Sequence, residues 1–238
     1  MKVIYLGHSG FLFETETAYY VFDYIRGELP HFSEEKKVYV FASHAHRDHW
    51  NPEIFTDQKL KRAERYILGF DIKEPFEDMA EGDRSLLDLP IIWAYPEQAI
   101  RTDDFVCTPI LSTDEGVAFP VQTKKEVIYH SGDLNWWHWN RDPEERNRER
   151  ARNFKREIDR LKGLHIDAAC IPLDPRQEDA HRLCMDYCME TLDAERIYPM
   201  HFWKDYALCR AYRESIKDAH PDWYRRFQII SYEGECFS

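Results

Sequence analysis

The chain opens with short apolar runs separated by polar punctuation, a pattern of strands rather than helices. Lys2–Leu6, Phe11–Thr15, Tyr19–Tyr24 and Val38–Ala42 are rich in β-branched and aromatic residues and bounded by turn formers, which predicts four strands. Tyr66–Gly69 and Ile91–Ala94 read as two brief strands, while the segment between them, Phe70–Pro90, has mixed charge and little period and yields no assignment. Phe105–Leu111, Val117–Gln122 and Glu126–Ser131 read as consecutive strands, the last two joined as a hairpin by Thr123-Lys124-Lys125. From Asp142 the period becomes helical: Ala151, Phe154, Ile158 and Leu161 form one apolar stripe and Arg and Glu fill the rest. Ile166–Leu173 then reads as a buried strand, Asp179–Leu192 as a helix with Leu183, Tyr187 and Cys188 inward, and Arg196–Tyr198 as a short strand. An amphipathic helix carrying Cys209, Tyr212, Ile216 and Ala219 precedes a closing strand at Gln228–Tyr232. A strand-rich first half followed by alternating helices and strands predicts an α/β (α+β) fold, with sheets in the centre and helices outside.

Composition narrows this picture. No linker, repeat or low-complexity stretch divides the 238 residues, so positions 1–238 are expected to form one domain. The N-terminus, MKVIYLGHSGFLF, lacks a long apolar segment and a small-residue cleavage pattern and reads as the first strands rather than a signal peptide; no run has the length of a membrane span. Six cysteines are scattered without a disulfide-like framework, which suits a reducing cytoplasm. Cys184 and Cys188, four apart on a predicted helix, read either as small core residues or as a pair sharing a metal. The formal net charge of −12 opposes binding to polyanions, so the expected partner is a small molecule, with nucleic acid disfavoured. Nothing in the sequence sets the oligomeric state.

The chemistry gathers at strand ends. The run Val38–Phe41 empties into Ser43-His44-Ala45-His46-Arg47-Asp48-His49, three histidines and an aspartate within six residues. Alternate side chains on a strand share a side, so His44 and His46 can reach one point while the following turn carries Asp48 and His49 toward a neighbouring one. Imidazole plus carboxylate is a donor set for zinc, with manganese and iron as rivals. Other strand ends present Ser112-Thr113-Asp114-Glu115, Asp133 after a glycine, and His201; in α/β architectures such ends converge on one edge. His8, in the turn Gly7-His8-Ser9-Gly10, is either a solvated turn residue or part of a pocket. Trp136, Trp137, His138 and Trp139 put much aromatic surface directly after Asp133, as a pocket wall or as ordinary core packing.

This set of motifs resembles the metallo-β-lactamase superfamily, whose HxHxDH motif is matched by His44, His46, Asp48 and His49, its later aspartate by Asp133 and its final histidine by His201. The resemblance spans nearly the whole chain and implies a four-layer αββα sandwich holding one or two divalent ions. It implies that His44 and His46 bind one ion, that Asp48, His49 and His201 bind the other, and that Asp133 bridges them. Asp48 and Asp133 then carry the catalytic roles, in a hydrolase whose attacking group is metal-bound hydroxide. The family's further histidine for the first ion has no counterpart in Leu111–Gly116, where Asp114 is the available substitute, so the His49 side is expected to be the tighter one. The Gly-His-Ser-Gly turn and the tryptophan run are similar to a lactonase-like or phosphodiesterase-like branch. That likeness implies a small ester, lactone or phosphoester as substrate and His8, Trp136, Trp137, His138 and Trp203 as its pocket. The alternatives are a nuclease of the same superfamily and a non-catalytic binding or regulatory protein with a degenerate metal site.

Overall fold

The computed structural model describes residues 1–238 and builds them into two seven-stranded sheets. The first sheet contains β1 (Lys2–Gly7), β2 (Gly10–Glu14), β3 (Ala18–Phe22), β4 (Lys37–Ala42), β5 (Arg65–Gly69) and β6 (Ile91–Ala94) in sequential order. The β1–β2 and β2–β3 pairs are antiparallel, and β3, β4, β5 and β6 then run parallel. The register Phe22↔Phe41 brings the carboxyl ends of β3 and β4 side by side. The second sheet contains β7 (Ile100–Arg101), β8 (Phe105–Cys107), β9 (Ile110–Leu111), β10 (Val117–Thr123), β11 (Val127–His130), β12 (His165–Pro172) and β13 (Asp193–Met200). Within it β11, β12 and β13 are parallel, which likewise aligns their carboxyl ends.

Alternation along the strands decides the layers. On β1, Val3 and Tyr5 join a cluster of 46 buried apolar residues while Ile4 and Leu6 join a second cluster of 20. The larger cluster fills the space between the sheets and continues behind the second one, where α2 (Glu144–Asp159), α3 (Leu183–Thr191) and α4 (Tyr206–Ile216) supply Phe154, Met185 and Tyr212. The smaller one lies on the outer face of the first sheet under α1 (Lys73–Gly82), which supplies Phe76 and Ala80. The result is an αββα sandwich. No helix is long and apolar enough to cross a membrane, and all six cysteines are free.

Several elements differ from the sequence reading. The unassigned Phe70–Pro90 contains α1, which buries only Phe76 and Ala80 and so shows almost no apolar stripe. The strand expected over Phe105–Leu111 is broken into β8 and β9 around Thr108-Pro109, since proline has no N–H to give to a ladder. On α3 the buried face is Cys184, Met185, Cys188 and Met189; Leu183 and Tyr187 are only partly buried, and on the later helix Ala219 lies beyond the end of α4 and is exposed. Gln228–Tyr232 is not a strand. A short helix, α5 (Pro221–Arg226), precedes it, and the closing strand is β14 (Cys236–Phe237), which pairs antiparallel with β1.

Candidate metal centre

The carboxyl ends of the parallel strands meet at one edge of the sandwich. Sheet one delivers Asp23 after β3, then His44, His46, Asp48 and His49 after β4; the β1–β2 turn adds His8. Sheet two delivers Asp133 after β11, Asp174 after β12 and His201 after β13. Two glycines permit the approach. A Cβ on Gly116, whose φ is +64°, would come within 2.0 Å of the Ser43 carbonyl and 2.6 Å of the His44 Cβ. One on Gly132, φ +50°, would lie 2.7 Å from the Ser43 Cβ. Ser43, at the end of β4, is therefore the point where two loops of the second sheet touch the first.

The ligand atoms fall into two groups. His8, Asp48, His49 and His201 form one, and His44, His46 and Asp133 the other. Asp133 stands between them: Oδ1 is 3.1 Å from His49 Nε2 and 3.4 Å from His201 Nε2, while Oδ2 is 3.7 Å from His44 Nε2. Asp48 Oδ2 is 3.1 Å from His8 Nε2 and 3.7 Å from His201 Nε2. His44 Nε2 and His46 Nδ1 are 3.0 Å apart. Donors about 2.1 Å from a tetrahedral zinc lie about 3.4 Å from one another, and these separations bracket that value. Moreover, His8 Nε2, His49 Nε2, His201 Nε2 and Asp133 Oδ1 are all buried and make no hydrogen bond. Buried polar atoms are nearly always satisfied, so four orphans converging in one place fit a cation.

The residues behind the ligands set their tautomers. Asp23, fully buried, accepts from His49 Nδ1 at 2.7 Å, from Ser43 N at 2.8 Å and from Ser43 Oγ at 2.8 Å. With its hydrogen committed to Asp23, Ser43 Oγ accepts from His44 Nδ1 at 2.9 Å. Asp174 accepts from His201 Nδ1 at 3.0 Å and is itself gripped by Arg176. Each of these rings thus turns its Nε2 lone pair toward the centre. Behind them His130 donates Nε2–H to the Ser9 carbonyl at 2.8 Å and accepts from Gly132 N at 3.2 Å, tying the His8 turn to sheet two.

The electrostatics agree with this arrangement. Burial pushes the His44 pKa down to about 3, keeping the ring neutral for ligation. Burial alone would raise the Asp48 and Asp133 carboxyls, yet the surrounding imidazoles, His8 and His49 for the first and His49 and His201 for the second, hold both below the ordinary value. Burial would lower the His49 pKa, but Asp133 and Asp23 outweigh it and raise it.

The remaining sequence candidates separate. Asp114 is half-exposed and its Oδ2 is 4.0 Å from His46 Nδ1, outside the ligand groups, whereas Glu115 Oε2 is 3.4 Å from His46 Nε2. Trp203 is exposed and sets its edge against His8 and His201, with ring centroids 4.7 and 5.6 Å apart. Trp137 stacks on Trp139 and approaches His201 at 6.0 Å. Trp136 belongs elsewhere: it packs on Phe154 and Tyr187 under Lys155, as part of the helical layer. His138 lines neither groove beside the centre; its carbonyl meets Gln177 Nε2 at 3.4 Å. Asp23, Asp174 and His130 went unnoticed in the sequence, where each is one more polar residue at a strand end. The signal available was position alone, since all three stand at the carboxyl ends of parallel strands.

No protein-family model matches the sequence, and neither does any curated protein. Solved structures do. The chain is similar to Igni18, a novel metallo hydrolase from the hyperthermophilic archaeon Ignicoccus hospitalis, with 15% identity over 100% of this chain and 98% of that one and a TM-score of 0.63. It is similar to the metallo-β-lactamase fold protein YhfI from Bacillus subtilis, with 14% identity over 99% and 98% of the two chains and a TM-score of 0.62. The chain has the metallo-β-lactamase fold. A further structure with this arrangement, Zn2+-bound PqqB from Methylobacterium extorquens, is 10% identical over 100% of both chains with a TM-score of 0.60. At these identities the metallo-β-lactamase likeness speaks for architecture, and the chemistry rests on the residues themselves.

Proposed function

We propose that this chain is a metal-dependent hydrolase that acts on a small ester, lactone or phosphoester. The observation that carries the reading is the convergence of buried, unpartnered donors from His8, His49, His201 and Asp133 on one point, with His44 and His46 alongside. Divalent ions held there, zinc first and manganese or iron as alternatives, would supply an activated water and polarise the bond under attack.

The chain's own residues do the rest. Asp48, ionised and partly open to solvent, is placed to accept a hydrogen bond from the attacking water and aim its lone pair. Two grooves flank the centre, one of ≈ 270 Å³ bordered by Arg26, Trp203 and Lys204, the other of ≈ 250 Å³ bordered by Trp137, Trp139, Arg150 and Arg176. Arg176 lies over the Trp203 ring at 4.7 Å, so indole faces and a guanidinium wall the approach to the ligands. This suits a compact substrate with an apolar body and a polarised oxygen. The net charge of −12 supports a small molecule over a nucleic acid, and the six free thiols support a cytoplasmic setting.

The test is elemental analysis of protein reconstituted with zinc, manganese or iron, followed by a screen of p-nitrophenyl esters, lactones and bis(p-nitrophenyl) phosphate. A hit should fall by about 10²–10⁴-fold in Asp48→Ala while folding persists. Protein that takes up no metal under any reconstitution refutes the proposal, and stoichiometric metal without turnover on any substrate class would favour a binding protein instead.

A further inference from the structure

The turn at His8 is built in a manner its position does not require. His8 has φ +52° and His201 has φ +60°, both in the left-handed region that glycine or asparagine occupies most readily. The two are bonded back to back, His201 N donating to the His8 carbonyl at 3.2 Å, and their rings lie 4.4 Å apart. Each such residue costs about 1–2 kcal/mol, and conformations of this kind persist where the surroundings fix them. What the strain achieves is to aim two imidazoles from opposite sheets at one place.

His8 is 5% exposed, and its Nε2 is 3.1 Å from Asp48 Oδ2 yet forms no hydrogen bond with it, because the ring does not point its N–H along that line. Simple bracing of Asp48 would leave the orphan unexplained. A cation shared by His8 Nε2 and Asp48 Oδ2 accounts for both the closeness and the missing hydrogen bond. Its other neighbours are already in place, since the ligand atoms of His8, Asp48, His49 and His201 all lie within 4.8 Å of one another.

We propose that His8 is a metal ligand, and that with it the His49–His201 half of the centre becomes a closed, resident site while the His44–His46 half stays open. This rests on the metal-dependent reading above. One half then offers three imidazoles with Asp48 and Asp133, and the other His44, His46 and Asp133. Closed sets of protein donors retain their ion, and sets of three leave a position for water or substrate. The two halves therefore divide the work between holding and reacting.

The experiment compares the full chain with His8→Asn and His8→Gly, replacements suited to φ +52° and unable to reach the ion. Each protein is titrated with Co2+ against a competing chelator and observed by proton NMR of the Co2+-loaded form, with circular dichroism to confirm the fold. Loss of a ligand should raise the apparent Kd of the tighter ion by more than about 100-fold, beyond the 10–100-fold typical of groups that merely orient a ligand. One set of hyperfine-shifted imidazole resonances should disappear. Wild-type affinity with the full set of resonances in either folded variant overturns the inference and leaves the hydrolase reading intact. A wild-type chain that binds no Co2+, Zn2+ or Mn2+ overturns both.

Discussion

Replacing Asp23 by asparagine tests the machinery behind the metal centre, because the substitution keeps shape and changes only hydrogen-bond polarity. In the native protein Oδ1 accepts from Ser43 N, and Oδ2 accepts from Ser43 Oγ and His49 Nδ1. In Asp23→Asn the amide oxygen is needed for the backbone N–H, so the NH2 falls where Oδ2 was. Ser43 Oγ can turn and accept from it. His49 Nδ1 can accept only if its proton moves to Nε2, the atom that faces Asp133 at 3.1 Å. A protonated Nε2 cannot ligate, so each binding event must first return that proton, and ion affinity should fall about 10–100-fold. The charge-assisted bonds lost from a fully buried carboxylate should also cost about 2–4 kcal/mol of stability, a Tm drop of very roughly 4–16 °C for a domain of this size. Urea unfolding of the metal-free protein measures the second term, and chelator competition with zinc the first. Native affinity in a protein destabilised by that amount would show that Asp23 supports the fold without setting the His49 tautomer, refuting the reasoning.

Three further outcomes follow from residues away from that carboxylate. Asp104 takes Tyr39 Oη–H at 2.5 Å and Lys37 Nζ at 2.7 Å, linking β4 to the loop before β8; burial would raise its pKa, but Lys37 and Tyr39 hold it below 3.8. Its contribution, about 1 kcal/mol, is present above the unfolded value and lost as pH falls through the folded one, so Asp104→Asn should flatten the acid limb of stability measured by denaturation between pH 5 and about 2.5. Trp136→Ala should cost about 2–4 kcal/mol of stability through lost packing on Phe154 and Tyr187 while leaving metal content unchanged, checked by unfolding and elemental analysis. Gly116→Ala should lower stability by about 2 kcal/mol or more and weaken the His44–His46 ion preferentially, since its Cβ meets both Ser43 and His44; chelator titration resolving two ions would show it.

The longer strands of both sheets were legible because buried strands are nearly continuous apolar runs, and the histidines drew attention because such a residue after such a run has few structural reasons to be there; the two-residue β7 and β14 were not legible, being too short to show a pattern. The helix Lys73–Gly82 was not, because two buried side chains make no readable period. Asp23 and Asp174 were hidden for a different reason. An aspartate after a strand is a common turn residue, and only the fold shows that Ser43, His49 and His201 lie behind it. Trp136 and Trp137 show the limit of local reading: one residue apart, one packs into the helical layer and the other faces His201, a difference set by the direction the chain leaves β11.

The backbone bond from His201 to His8 has a consequence for how the protein is made. The chain is synthesised from the His8 end at about 5–20 residues per second, so roughly 10–40 s separate the emergence of these two residues. For most of that interval the HxHxDH segment is already outside the ribosome with His201 still to come. An ion captured then would meet His44, His46 and His49 without His201 or the Asp174 that fixes its ring. Correct loading is therefore expected to be the last event of maturation, after β13 has docked and its terminal turn has closed against the first one, which makes the metal a seal on a finished fold rather than a nucleus for it.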